Sequence, residues 1–113
     1  MRLSELKPQW LAAPRRNEQG QTIWPVLQSM SGAHGIEFLC PICFRKNGGP
    51  VGTHAIICWD PSIPQTQQPT PGRWNLVGTS FEDLTLVAGS SSVRLIGGCD
   101  AHFFIRDGAI IGA

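Results

Sequence analysis

Apolar positions along this chain fall into short blocks, which Gly, Pro and polar residues separate. The blocks are rich in β-branched and aromatic residues and are too short for amphipathic helices, so they predict strands. The predicted strands are 36–39, 51–59, 74–77, 84–87, 93–96, 103–106 and 109–112. The pattern predicts a mainly β fold, a small single domain of about six or seven short antiparallel strands.

Turn signals separate these strands. Asp107 and Gly108 lie between the last two blocks, and this dipeptide favours a type I′ hairpin because both central residues need positive φ. A second turn is predicted at 89–92. Residues 3–7 fit a single helical turn, with Ser4 as its cap and Pro8 ending it.

The N-terminal part, residues 1–35, reads as an irregular arm, because Pro14 and Pro25 interrupt any helical period. Trp10 and Trp24 lie in this arm, and two interpretations stay open. They are lids on the β-sheet, or they anchor a partner protein. The proline-rich and glutamine-rich segment 60–72 predicts an exposed connecting loop, with a ligand for a proline-binding groove as the alternative.

Length, composition and charge narrow the function classes. A chain of 113 residues makes one domain. The net charge of +1, with 15% charged residues, is too balanced for a dedicated nucleic-acid binder. Neither a secretory signal nor a membrane-spanning segment is recognisable. We therefore expect a reducing compartment, where cysteines more often bind metals than form disulfides.

Two motifs with the same two-residue gap carry the candidate chemistry. Cys40 and Cys43 form a CxxC, and Cys99 and His102 form a CxxH. Three thiolates and one imidazole make a common tetrahedral set for structural Zn²⁺. The sequence therefore predicts that one zinc ion, bound by Cys40, Cys43, Cys99 and His102, staples a β domain over residues 36–113.

A redox pair and structural disulfides are two alternatives to a metal site for these cysteines. A Cys40–Cys43 redox pair would need a βαβ unit with a helix after the motif, which the pattern does not indicate. Disulfides would need an oxidising compartment. Outside the predicted ligand set, Cys58 is interpreted as a small buried hydrophobe, His54 as a hydrogen-bonded core histidine, and His34 as a loop residue.

An enzyme is the rival interpretation. A catalytic zinc keeps an open coordination position, whereas four protein ligands close the sphere. The zinc-deaminase, nucleophile-elbow, P-loop and HExxH patterns are not found. Glu82 and Asp83 are adjacent carboxylates, and neighbours on a strand point to opposite faces, so we interpret them as surface or turn residues.

The motifs together resemble an uncharacterised family of small tailed-phage and prophage proteins. The resemblance covers nearly the whole chain and rests on segments 3–10, 38–44, 47–54, 71–74, 83–86 and 97–108. It implies a phage-related origin and a Cys/His metal site, in a domain of unknown function. Some members carry the label ammonia monooxygenase, which is a membrane-bound enzyme, whereas this chain shows no segment that spans a bilayer.

These observations together predict a zinc-binding, phage-related accessory protein. Its expected role is a protein-interaction module with a host-factor or virion partner, or a small virion component. The expected location is the host cytoplasm or the virion. A metal-dependent enzyme is the first alternative, and a nucleic-acid-binding zinc ribbon is the second. Nucleic acid is not expected to be the principal partner, because the net charge is only +1.

Overall fold

The computed structural model describes residues 1–88, 92–95 and 99–112, and over these ranges the chain is mainly β, as predicted. The strands are β1 Gln9–Leu11, β2 Arg15–Arg16, β3 Thr22–Ile23, β4 Val26–Leu27, β5 Gly35–Leu39, β6 Ala55–Trp59, β7 Asn75–Val77, β8 Thr85–Val87, β9 Ser92–Arg94, β10 His102–Arg106 and β11 Ala109–Ile111. The predicted turn at 89–92 lies outside the described residues except for Ser92. Ile96, the predicted end of a strand, also lies outside them.

Helical structure is scarce in the described ranges. A 3₁₀ turn spans Leu3–Leu6, where a helical turn over 3–7 was predicted, but its N-cap is Arg2 and the predicted cap, Ser4, lies inside the turn. An α-helix, α1, spans Pro41–Asn47, where none was predicted. Neither has the length and apolar character needed to cross a bilayer.

Antiparallel pairing builds two larger sheets. One has the order β4-β1-β5-β6 and the other the order β11-β10-β9, and β2-β3 and β7-β8 form separate two-stranded ribbons. Positive φ at Asp107 (48°) and Gly108 (72°) confirms the predicted hairpin between β10 and β11. A Cβ at Gly108 would lie 2.4 Å from the Glu82 carbonyl oxygen, so only glycine fits this turn.

The main core joins the two larger sheets. Phe38 of β5 meets Phe103 of β10 edge to face, with ring centroids 6.0 Å apart. Residues on β6 alternate between two clusters: Ile56 and Cys58 enter the main core, whereas Trp59 belongs to a smaller cluster on the other face of the sheet. This alternation is the period-two pattern of a strand that is buried on both faces.

The N-terminal segment is not the irregular arm that the sequence predicted. It contains β1 to β4, and β1 lies inside the larger sheet between β4 and β5. Trp10 is 4% exposed and stacks on Phe81 with centroids 4.1 Å apart, while Trp24 meets Trp59 edge to face. Both tryptophans therefore pack within the fold, as the lid interpretation expects.

The loop between β6 and β7 is compact rather than extended. Its centre is the half-buried guanidinium of Arg73, whose N–H groups donate to backbone carbonyls of the loop at 2.7–2.8 Å. The accepting carbonyls belong to Ile63, Pro64, Gln67, Pro69 and Gly72. One side chain therefore satisfies carbonyls that the proline-rich backbone cannot pair in a ladder.

Replacing this side chain should loosen the loop. Arg73→Lys keeps the positive charge but loses the planar fork of donors, so we expect the free energy of unfolding to fall by about 2–3 kcal/mol. Urea unfolding measures the change, and Arg15→Lys on the exposed strand β2 is the matched control. A loss below about 0.5 kcal/mol, the usual range of a surface substitution, would contradict the role assigned to Arg73.

Candidate metal centre

A single local unit, β5–α1–β6, supplies three metal-binding side chains. Cys40 follows β5 and is the N-cap of α1, and Pro41 occupies the first turn, where its missing N–H costs nothing. The Phe44 N–H donates to the Cys40 carbonyl at 2.8 Å and closes this turn. Cys43, on the same turn, is thereby brought next to Cys40.

The third side chain, that of His54, arrives through a tight return from the helix. Gly48 ends α1 in the left-handed region (φ 70°), and the Gly49 N–H caps the Phe44 carbonyl. The chain then enters β6 through His54, whose carbonyl accepts from the Cys40 N–H at 2.9 Å. This hydrogen bond sets Cys40 and His54 opposite each other at the end of the β5–β6 pair.

Cys99 completes the group from the segment that leads into β10. Its Sγ lies 3.7 Å from the Cys40 Sγ and 3.4 Å from the His54 Nε2. The ligand atoms of Cys40, Cys43, His54 and Cys99 all lie within 4.8 Å of one another. A three-cysteine, one-histidine group of this kind can hold a metal ion.

The Cys40–Cys99 and His54–Cys99 distances match those of a tetrahedral site, and the first is too long for a disulfide. Zinc bond lengths of about 2.3 Å to sulfur and 2.0–2.1 Å to nitrogen place two sulfurs about 3.8 Å apart and a sulfur and a nitrogen about 3.6 Å apart. The observed 3.7 and 3.4 Å are close to both values. A disulfide would need about 2.05 Å, and all four cysteines are free.

The thiols of the group differ in acidity. Burial raises the pKa of Cys40 to about 11, helped by the Cys99 thiol. Burial also raises the pKa of Cys99, but the hydrogen bonds from the His54 ring and the Ala101 N–H outweigh it and lower the value to about 7. Metal ligation requires thiolates, so an ion that binds here must displace the proton of Cys40.

His102, the histidine predicted as the fourth ligand, is not in this group. Along β10, Phe103 and Ile105 point into the core, so His102 and Phe104 point to the opposite face. The His102 ring lies 6.2 Å from the Phe104 ring. The structure therefore brings together Cys40, Cys43 and Cys99 of the predicted set and supplies His54 as the histidine.

The sequence interpretation of His54 as a hydrogen-bonded core histidine differs from its position. Its side chain is exposed at the end of the sheet, and its Nε2 faces Cys99. Its place directly before β6 mirrors the place of Cys40 directly after β5, but the predicted strand 51–59 contained His54 and so concealed this signal. In an antiparallel pair these two positions meet.

The helix after Cys40 removes one reason against a redox role for the CxxC motif, but other features still disfavour that role. A redox CxxC was disfavoured partly because no helix was expected, and α1 does follow the motif. However, β5 and β6 pair directly and antiparallel, so the unit is not a parallel βαβ crossover. A third thiol and an imidazole beside the pair also favour metal binding over a dithiol.

The remaining candidates lie apart from this group. Cys58 is fully buried in the main core, where burial raises the pKa of its thiol well above the ordinary value. Asp60 and Ser62 both contact the same ring nitrogen of His34, Nδ1, at 3.0 Å. A serine–histidine–aspartate triad uses both ring nitrogens, so this arrangement is a turn cross-link rather than a catalytic relay.

The adjacent carboxylates do not form a joint site. Backbone N–H groups of Thr79 and Ser80 donate to Asp83 at 2.8 Å, and they hold the pKa of that carboxyl below its usual range. The Glu82 backbone carbonyl accepts from Arg2. The interpretation of this pair as turn residues therefore agrees with the structure.

Comparison with known proteins adds no relative. No protein-family model, no curated protein and no solved structure matches this chain. The resemblance to small phage proteins therefore stays a prediction. The function of the chain is therefore inferred from the geometry of the metal-binding group and from the surfaces around it.

Proposed function

We propose that the chain is a zinc-stapled protein-interaction module in which the metal is structural. The observation that carries the metal assignment is the mutual proximity of the ligand atoms of Cys40, Cys43, His54 and Cys99, all within 4.8 Å. Thiolates with one imidazole favour zinc over the hard cations Mg²⁺ and Ca²⁺. Four protein ligands leave no coordination position for a substrate, which supports a structural ion over a catalytic one.

The structural role follows from the origin of the ligands. Cys40, Cys43 and His54 belong to the β5–α1–β6 unit, whereas Cys99 precedes β10 in the other sheet. A bound ion would tie the two sheets together beside the main core. Closing so long a loop restricts the unfolded chain, so the clip favours the folded state.

Zinc content tests the ligand set directly. Protein purified under reducing conditions should carry about one zinc per chain, as a single four-ligand site requires. His54→Ala should lose most of this zinc, whereas the matched variant His102→Ala should retain it, because His102 lies outside the group. Elemental analysis reads out both. Metal-free wild-type protein would contradict the proposal, and loss of zinc in His102→Ala alone would restore the ligand set predicted from sequence.

The interaction role rests on observations other than the metal-binding group's distances. It comes from the resemblance to small phage and prophage proteins, the closed ligand group and the net charge of +1. On this proposal the protein acts on a host factor in the cytoplasm of an infected cell, or binds a virion component. Pull-down from infected cells with zinc-loaded wild-type bait should recover a partner that metal-depleted bait does not. Equal recovery with both baits would contradict a zinc-dependent module.

A further inference from the structure

We propose that the groove between β6 and β9 binds an extended, acidic peptide segment of a partner protein, which adds as a strand along β6. This inference rests on the proposed function, because it names the surface and the partner chemistry of the interaction module. It is argued from unpaired backbone, shape and charge.

Among the described residues, one edge of β6 has no neighbouring strand. In an antiparallel pair, successive residues alternate between bonding to the neighbouring strand and pointing away from it. The Cys40–His54 hydrogen bond sets this alternation, so Ala55 and Ile57 direct their N–H and C=O groups away from β5. No hydrogen-bond partner for these groups lies in the described part of the chain. Such an edge accepts another extended chain.

A neighbouring contact shows that this edge does accept backbone. Trp59 follows the same alternation, and its outward carbonyl accepts from the Trp74 N–H at 3.0 Å. The contact covers one end of the edge, and no described residue pairs with the part nearer the metal-binding group. A peptide that runs along β6 would continue this pairing toward Ala55.

The opposite side of the groove is also a sheet edge. Among the described strands, β10 is the partner of β9, whereas the other end of that sheet, β11, is covered by the N-terminus, since the Ile110 N–H donates to the Met1 carbonyl at 2.9 Å. The Leu95 N–H donates to the Ala101 carbonyl, so by the same alternation Arg94 directs its backbone groups into the groove.

Shape agrees with a short extended segment. The groove has a volume of about 690 Å³, within the range of roughly 300–1,000 Å³ that is usual for ligand sites. Residues 69–72 of the Arg73-centred loop and the Trp74 ring form one wall. The Trp74 Nε1 donates to the Ser92 carbonyl at 3.2 Å, which holds the ring between the two edges.

The charge of the side chains that line the groove favours an acidic peptide. Arg94 and His102 line the groove, and none of its described lining residues is a carboxylate. Arg94 and His102 are direct cross-strand partners, so their side chains lie on the same face. An acidic side chain of an added strand would meet these basic groups, and a basic peptide would be repelled.

Selection from a library of random eight-residue peptides, with the zinc-loaded full chain as the target, tests this inference. We expect enriched peptides to carry Asp or Glu and to lack Pro in the central positions. Arg94→Glu should reduce the affinity for an enriched peptide by about ten-fold or more, because it replaces an electrostatic attraction with a repulsion. Arg15→Glu, the same charge change on an exposed strand that does not line the groove, should leave affinity unchanged.

A chemically modified peptide isolates the backbone contribution. Methylation of the central amide nitrogens removes the donors that pair with β6, so it should abolish binding of an otherwise identical peptide. Failure of the library to enrich any peptide, enrichment without acidic residues, or full affinity of the methylated peptide would overturn the inference.

Zinc content measured on the same samples separates this inference from the proposed function. Absence of zinc would contradict the proposed function itself. If zinc-loaded Arg94→Glu protein binds the peptides as well as zinc-loaded wild-type protein does, the proposed function is unaffected and the peptide-binding groove is contradicted. Self-association through β6, seen as a dimer in sedimentation that added peptide does not dissociate, would also overturn it.

Discussion

Cys99→Ser should lose its metal and with it a large part of its stability. Structural zinc supplies roughly 10–16 kcal/mol of apparent binding free energy in small zinc domains, and a domain of ordinary size is stable by only 5–15 kcal/mol. The main core remains in the variant, so we expect a loss of about 4 kcal/mol or more rather than the full binding energy. Thermal unfolding followed by circular dichroism measures it.

Two comparisons make this result specific to the metal. A strong zinc chelator added to wild-type protein should lower the melting temperature to that of Cys99→Ser. Cys58→Ala removes a buried thiol outside the metal-binding group, so it should keep its zinc and lose only the smaller energy of a small cavity. A Cys99→Ser variant with the wild-type melting temperature would show that the clip does not hold the domain.

Trp10→Ala should destabilise the protein by about 3–5 kcal/mol, the usual cost of deleting a core aromatic side chain. Trp10 is 4% exposed and stacks on Phe81, and its strand lies inside the larger sheet. Val26→Ala is the matched control, since Val26 lies on the adjacent strand β4 and is 49% exposed. Urea unfolding of both variants measures the difference.

The same experiment decides between two roles for the N-terminal segment. If Trp10 anchored a partner, its removal would leave stability nearly unchanged and reduce only partner binding. A loss below about 1 kcal/mol, close to that of Val26→Ala, would contradict the packing described above and restore the docking interpretation.

Sequence patterns predicted the described strands from β5 onward, including the three-residue strands β7, β8, β9 and β11. β5, β6 and β10 each span five residues, and each overlaps a predicted strand by at least four residues. The hairpin at Asp107 and Gly108 was also predictable, because its backbone conformation demands those residue types. Period and turn chemistry are local properties, and a single sequence records them directly.

The N-terminal strands could not be predicted in this way. β1 to β4 have two or three residues each and lie among polar residues and prolines, so they lack the apolar blocks that marked the other short strands. Proline also misled the interpretation of this segment. Pro25 cannot donate a ladder hydrogen bond, but its carbonyl accepts from the Ala12 N–H at 2.8 Å. β1 forms because tertiary pairing with β5 selects it, and β4 then pairs with β1, whereas β2 and β3 pair with each other in a separate ribbon.

The metal-binding group was predictable in part for a different reason. The CxxC motif is a local signal, and α1 holds Cys40 and Cys43 on one turn. The choice of histidine depends on how β5 meets β6 and on which face of β10 each residue occupies. Equal spacing of the two motifs suggested His102, whereas strand pairing brings His54 to Cys40. The spacing of residues within a motif does not reveal which distant strands will pair.

The distribution of ligands along the chain also has a consequence for biosynthesis. Cys40, Cys43 and His54 leave the ribosome before Cys99, so a nascent chain presents three donors while the fourth is still unmade. Capture of the proposed ion and closure of the site would then be separate events in time. A ribosome-bound chain that has passed His54 would offer an open, exchangeable site, and release of the C-terminal strands would make the ion slow to leave.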